Sequence, residues 1–274
     1  MRRFSEDVAL ILEARAMIMI DIANTSPESP TQAGMHPGEK AYRDKLKPQM
    51  EVSEKDGIAR IPIEGALAHN PDTWEMVYFG MEDLRNISSM VREASDRPDV
   101  KGVLLSVDSP GGFFTGSLDV ADSIAALNKV KPVVAHVGGT SASLAYMLTS
   151  QAGEIVAGRG SSVGSLGAYI INADYSRAYK NAGLEMEMFK NKEGSLKGMG
   201  SGEFALTGEQ RQFLSDRAQG TFESFMNVIE TARGVLQPDT KKGQTFYGEE
   251  AKARGLVDRV GNESFARSLL GTKI

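Results

Sequence analysis

The stretch Val100-Lys101-Gly102-Val103-Leu104-Leu105-Ser106-Val107 constrains the fold most. It is a near-continuous apolar run, which is how a strand buried on both faces of a parallel sheet reads. Lys131 to Val137 reads as a second buried strand. A helix is expected between them, from about Thr115 to Leu127, and another opens at Leu144. Strand, helix, strand, helix with short joints predicts an α/β fold with a right-handed parallel sheet.

Further elements obey the same logic. Ile58 to Ile63 is strand-like, and Pro62 argues for an edge or a strand end. Met81, Leu84, Ile87, Met90 and Val91 recur at helical spacing, with Pro98 as a stop. Glu154 to Ala157 is a short strand, and Ser161 to Ile170 is a Gly/Ser turn entering a strand. Tyr175 to Ala182 looks helical, and Leu184 to Lys190 is strand-like by alternation. Asn191 to Gly202 holds four glycines and reads as a loop. Thr207-Gly208-Glu209-Gln210 has the form of a capping box opening a long helix. That helix has Phe213, Leu214, Phe222, Phe225, Met226 and Ile229 as its core face, and Gly234 ends it. Phe246 to Ala251 begins a short helix, Gly255 to Gly261 is a strand and turn, and a last helix closes the chain.

Residues 1–51 read as an N-terminal helix, over 4–23, and a Pro/Ser/Gly-rich linker; 52–274 form the main domain. The apolar run Val8 to Ala23 is interrupted by Glu13, Arg15 and Asp21, so no membrane span is expected. The charged start fits a secretory signal poorly, which predicts a soluble, intracellular protein. An apolar content of 41% is enough for a proper core. A net charge of −5 without a basic block gives no sign of nucleic-acid binding. The absence of cysteine removes disulfides, thiolate nucleophiles and Cys-based zinc sites. The three histidines, His36, His69 and His136, are too scattered for a histidine-rich metal site.

The chemistry centres on Gly138 to Met147, a small-residue junction between strand and helix. A serine there sits at a helix N-terminus, where free N–H groups and the dipole favour negative charge. A nucleophile that must form an oxyanion is well served by that place. The bland alternative is that Ser141 and Ser143 are only N-caps. Gly139-Thr140-Ser141-Ala142-Ser143 lacks the final glycine of a nucleophile elbow, which argues against an α/β-hydrolase. His136 is near in sequence and stays open as a base from order alone. Lysine is the remaining candidate, with Lys190, Lys192 and Lys197 in or beside one glycine-rich loop. A lysine titrates near ~10.4 in water, and lowering that by ~3 units costs the protonated form roughly 4 kcal/mol, within reach of a dry site. The N–H of Leu144 is one natural oxyanion donor, and Gly111-Gly112 offers the other.

Together these stretches resemble the signal peptide peptidase A family of Ser-Lys serine peptidases, which includes the protein C-like head maturation proteases of tailed phages. The resemblance covers roughly Ile58 to Val260 and rests on five motifs in order. They are Ser109-Pro110-Gly111-Gly112, Ala142-Ser143-Leu144-Ala145-Tyr146, Val163-Gly164-Ser165-Leu166-Gly167, Gly194-Ser195-Leu196-Lys197, and the closing pair Phe246 to Ala251 and Gly255 to Asp258. The resemblance implies Ser143 as nucleophile, Lys197 as general base and Ser165 as the residue that orients the lysine amine. Gly111 or Gly112, with Leu144, would form the oxyanion hole; Lys192 stays a second candidate base. Leu144 replaces the family's usual small residue, and its bulk is expected to narrow the substrate pocket. The implied fold is the Clp protease and crotonase type, a spiral of β-β-α units that assembles into homo-oligomeric rings, with no cofactor and no metal. The implied substrate is a polypeptide. With no transmembrane anchor expected, the resemblance points to the phage or prophage branch. There the substrate would be capsid, scaffold or the protease's own chain, in the host cytoplasm or procapsid. Two other readings stay open: a non-catalytic, ring-forming assembly protein, and an acyl-CoA-processing crotonase relative.

Overall fold

The structure is a computed structural model that describes residues 48–72, 75–76 and 79–274. The helix expected over 4–23 and the linker after it lie outside the described residues. Nine strands form one sheet among the described residues. They are β1 (Glu51–Val52), β2 (Ile58–Ala68), β3 (Met81–Asp83), β4 (Gly102–Gly112), β5 (Val133–Ala142), β6 (Glu154–Ala157), β7 (Ser162–Gly164), β8 (Thr245–Tyr247) and β9 (Arg259–Val260). The helices are α1 (Leu84–Asp96), α2 (Ser117–Val130), α3 (Leu144–Thr149), α4 (Ser176–Asn181), α5 (Gly208–Arg233), α6 (Gly248–Ala253) and α7 (Glu263–Gly271). The fold is α/β, and all strand pairs are parallel except β1 with β2 and β7 with β8.

Two long strands change neighbours partway along. The start of β2 pairs with β1 and its end with β3; the start of β5 pairs with β6 and its end with β7. The lower half of the sheet therefore runs β1-β2-β4-β5-β6-β9, and the upper half β3-β2-β4-β5-β7-β8. The register slips between Glu64 and Ala66 and between Val107 and Ser109, where the two halves meet. Such irregularities bend a strand and re-aim the side chains beyond the bend. Pro62 lies between the β1 and β3 pairings, on a stretch of β2 that, among the described residues, is partnered only by β4, so its missing N–H costs no ladder bond there.

One face of the sheet packs against α1, α2 and α3 through Ile61, Ile63, Leu105, Val107, Ala135 and Val137. The other packs Ile58, Leu104, Val134 and Val156 against Ala266 and Leu270 of α7. Each fully buried aliphatic side chain of this kind contributes roughly 1.5–3 kcal/mol. Met81 to Asp83 has helical spacing in sequence, yet pairs as a strand with Ala66 to Ala68. The helix starts after it because Asp83 caps α1, its Oδ1 accepting the Arg85 N–H at 3.0 Å.

The expected strand at Leu184 to Lys190 does not form, and β7 stops at Gly164 instead of continuing to Ile170. Every residue from 180 to 193 is exposed. A strand needs a partner for its backbone N–H and C=O groups, and none lies beside this stretch among the described residues. Likewise the first half of α5 leaves the body: Phe225, Met226 and Ile229 are buried, but Phe213 is 40% exposed. Residues 167–207 and the start of α5 thus form an arm with Tyr169, Ile171, Leu184, Met186 and Phe189 open to solvent.

Candidate active site

Ser143 stands where β5 ends and α3 begins. Its backbone has φ 51 and ψ −124, a region that a non-glycine residue seldom adopts, and its side chain makes no capping bond to α3. The simple N-cap role is therefore absent for Ser143. Ser141 is different: it is fully buried, its Oγ lies 3.0 Å from Thr149 Oγ1, and Thr149 donates its own proton to the Ala145 carbonyl at 2.7 Å. Ser141 must then be the donor, which ties β5 to α3. The two serines separate into a structural one and a half-buried one whose hydroxyl is uncommitted.

Ser165 arrives beside it by register. Ala142 pairs with Gly164, and Ser143 N–H donates to the Gly164 carbonyl at 2.8 Å. The next residues on the two strands, Ser143 and Ser165, both turn out of the sheet with positive φ, 51 and 53. Parallel neighbours lie about 4.8 Å apart, so the two serines stand side by side. Behind them, β8 lies antiparallel on β7, and the Ser165 N–H donates to the Gln244 carbonyl at 2.7 Å.

The glycine turn closes the other side. Ser109 is fully buried; its Oγ donates to the Gly65 carbonyl at 2.6 Å and accepts the Gly111 N–H at 3.1 Å. Gly111 has φ 98, and a Cβ on it would come within 2.8 Å of Ser143 Cβ and 2.9 Å of the Leu144 nitrogen. Successive N–H groups of a strand point to opposite edges. Gly111 N–H and Phe113 N–H are both directed toward β2, the latter onto the Leu67 carbonyl at 2.8 Å. On regular strand alternation the Gly112 N–H, between them, would face away from β2. Leu144 N–H belongs to the first turn of α3 and has no carbonyl acceptor within the helix.

The remaining motifs hold this frame. Tyr146 is buried and its hydroxyl donates to the Leu256 carbonyl at 2.9 Å. Burial holds the Tyr146 hydroxyl well above its ordinary titration range, so it stays a donor. Asp258 accepts two hydrogen bonds from Arg233 of α5, at 2.7 and 3.0 Å, and a third from the Ile155 N–H at 2.8 Å. Asp108 accepts the Thr140 N–H at 2.8 Å; a Cβ on Gly139 would lie 2.2 Å from its Oδ1 and would have to push that side chain aside. Sequence reading missed the roles of Asp108 and of the Ser109 hydroxyl. A polar residue at a strand end carries no signal until the neighbouring strand is placed.

Two expectations change. Leu144 is 2% exposed and packs in the core, so its side chain does not narrow a substrate pocket. His136 is buried on the α7 side of β5, the side of Val134, facing Glu263, and does not approach Ser143. Burial lowers its titration below the ordinary histidine range. The structure therefore brings together Ser143, Ser165, Gly111, Gly112 and Leu144. Lys197 is not joined to them: it stands on the arm with its side chain in solvent, as do Lys190 and Lys192. Its loop is anchored, however. The buried Gln210 completes the capping box of α5 with Thr207, and its Nε2 donates to the Ser195 carbonyl at 3.0 Å.

Residues 125–272, more than half of the chain, match the profile of peptidase family S49. The chain belongs to peptidase family S49. A Methanocaldococcus jannaschii protein named as a protease is 35% identical over 188 residues, 68% of this chain and 60% of that protein. Capsid assembly protease C of Escherichia phage lambda is 28% identical over 218 residues, 78% of this chain and 49% of that one. The head-tail preconnector protein GP5 of Enterobacteria phage P21 is 30% identical over 222 residues, 80% of this chain and 44% of that one. The chain thus spans about half the length of these relatives. A solved enoyl-CoA hydratase/isomerase family member superposes with a TM-score of 0.46 and 16% identity, covering 82% of this chain and 74% of that one. Within the S49 region lie Ser143, Ser165 and Lys197; the Gly111-Gly112 turn precedes it and reaches the site through the β4–β5 pairing. Among the described residues no helix is long and apolar enough to cross a membrane, and no cluster of three His, Cys, Asp or Glu could hold a metal ion.

Proposed function

We propose that this S49 chain is a serine endopeptidase using a Ser-Lys dyad. Ser143 Oγ attacks the scissile carbonyl, and its proton passes to the Lys197 amine. The C–N bond then breaks, and the same proton goes to the leaving amine. Water hydrolyses the resulting ester and restores the serine. Ser165 accepts a hydrogen bond from the amine and orients it. The oxyanion is held by Leu144 N–H and Gly112 N–H; Gly112 is favoured over Gly111, whose N–H is already bonded to Ser109. The observation that carries the reading is the strained backbone of Ser143, which holds an uncommitted hydroxyl against the glycine turn.

Lys197 reaches the site when the arm is ordered by a second copy of the chain. Leu184, Met186 and Met188 alternate with Glu185 and Glu187, all exposed, a strand pattern lacking its partner. A neighbour's arm supplies that partner in a homo-oligomeric ring. Replacing Met186 and Met188 together by glutamate is expected to reduce the assembly to monomers in size-exclusion chromatography and to stop cleavage. A monomeric, fully active wild type would end this part of the proposal. Lys197→Ala is expected to lower kcat by about 10³-fold or more without changing the melting temperature. Mixing Lys197→Ala with Ser143→Ala chains then assigns the lysine: recovered activity places it on the neighbouring chain, and none places it on the same chain.

By similarity to the phage proteins, the substrate is a capsid or scaffold polypeptide, cut in the host cytoplasm or within the procapsid. Mass spectrometry of capsid proteins co-expressed with wild-type and Ser143→Ala chains tests this through the peptide bonds cut. The exposed Lys197 is the one observation favouring a non-catalytic, ring-forming assembly protein instead. A fluorophosphonate probe that labels wild type but not Ser143→Ala, together with cleavage, decides against that reading.

A further inference from the structure

Glu82 is a buried carboxyl, 8% exposed, for which the proposed chemistry has no use. It lies on β3, the outermost strand of the upper half of the sheet among the described residues, paired with Leu67 of β2. On its other edge Leu67 is paired with Gly112 of β4 and accepts the Phe113 N–H at 2.8 Å. The contact between β2 and β4 here has no slack, since even a Cβ on Gly112 would fall 1.9 Å from the Leu67 carbonyl oxygen. A shift of β3 is therefore transmitted through one strand to the glycine turn beside Ser143.

We propose that Glu82 is a proton-sensitive positioning residue: its uncharged carboxyl holds β3 against β2 and so fixes the strand that carries Gly111 and Gly112. The proposal deepens the peptidase reading and rests on it for its catalytic consequence. The surroundings fit a neutral carboxyl. Asn86 of α1 donates to Glu82 Oε1 at 3.3 Å. The charged neighbours are acidic: Asp83 on the same strand and Glu64 on β2 both disfavour a second negative charge. Arg85 pairs with Asp83 at 2.6 Å, and Arg60 with Glu64 at 3.5 Å and Ser106 at 2.7 Å. Burial, with those two carboxylates, pushes the Glu82 carboxyl up to about 7.

Linkage sets the sign. Between the ordinary value of 4.5 and about 7, the folded chain keeps a proton that the opened chain has lost. The folded form therefore loses stability as pH rises through that window, and the loss levels off above it. Any opening that frees Glu82 becomes easier over the same window.

The test is amide hydrogen exchange across the segment from Ser109 to Phe113, corrected for intrinsic rates, in the full chain at pH 5.5 and 7.5. In wild type the protection of this segment is expected to fall at least tenfold between those two values. Glu82→Gln, which keeps the shape and the Asn86 hydrogen bond, is expected to show less than a twofold fall. Glu82→Ala is expected to be poorly protected at both. Equal falls in wild type and Glu82→Gln would overturn the proposal, whether or not the chain cleaves peptides. Turnover adds a readout that a merely structural role would not move: the wild-type to Glu82→Gln ratio of kcat should decline through pH 7 at unchanged KM. A flat ratio in an active enzyme counts against Glu82 alone, whereas absent turnover in both, with the exchange difference intact, counts against the peptidase reading alone.

Discussion

Replacing Ser143 by alanine is expected to lower peptide cleavage by about 10⁴-fold or more while leaving the melting temperature within a degree or two of wild type. The hydroxyl makes no capping bond to α3, so its removal leaves no buried partner unsatisfied. Glycine at the same position separates the nucleophile from its backbone. Ser143 holds φ 51, a conformation that costs a non-glycine residue roughly 1–3 kcal/mol, and glycine relieves it. Against this stands glycine's larger loss of freedom on folding, about 0.5–1 kcal/mol. Ser143→Gly is therefore expected to be equally inactive but about 1 kcal/mol more stable than Ser143→Ala in chemical denaturation. A glycine variant less stable than the alanine variant would show that the backbone at Ser143 is unstrained. That result would remove the main support for Ser143 as nucleophile.

Gly112→Ala is expected to be the most damaging single substitution for fold and activity together. The new Cβ would lie 1.9 Å from the Leu67 oxygen and 2.6 Å from the Leu67 carbonyl carbon and nitrogen. These are backbone atoms of a central strand and cannot rotate aside, so β2 and β4 must part locally and strain the bond from Phe113 N–H to the Leu67 carbonyl. The cost is about 3 kcal/mol or more, a fall of about 6–12 °C in melting temperature for a domain of this size. The Gly112 N–H would move with the strand, and a displaced oxyanion donor costs about 10²–10³ in kcat. Calorimetry and single-turnover cleavage on one preparation check both effects. Wild-type stability in this variant would mean that Leu67 and Gly112 are not register partners.

The two apolar runs, Gly102 to Val107 and Val133 to Val137, specify buried parallel strands, and the structure places them as adjacent partners in the middle of the sheet. Thr207 and Gln210 form the capping box their spacing announces, and Gly234 ends that helix with φ 78. In these cases the signal is local: an apolar pattern, a cap, a backbone that only glycine adopts cheaply. The five motifs were equally legible; three of them meet around Ser143, the closing pair braces them through β7 and Tyr146, and the Lys197 motif stands apart. Where non-local contacts decide, pattern misleads. Met81 to Asp83 became a strand because β2 offered an open edge, and Leu184 to Lys190 did not because no strand among the described residues lies beside it.

The amino-acid order by itself determined the α/β layering, the two ends of α5 and the short roll of residues from which an active site could be built. Tertiary structure alone decided which serine ties helix to strand, that the Gly111 N–H is taken up by Ser109, that the Leu144 side chain belongs to the core, and that Lys197 stands apart on an arm. The division has a physical cause. Propensity and capping act within a few residues, whereas the direction of an N–H group or the burial of a side chain is set by strands and helices distant in sequence.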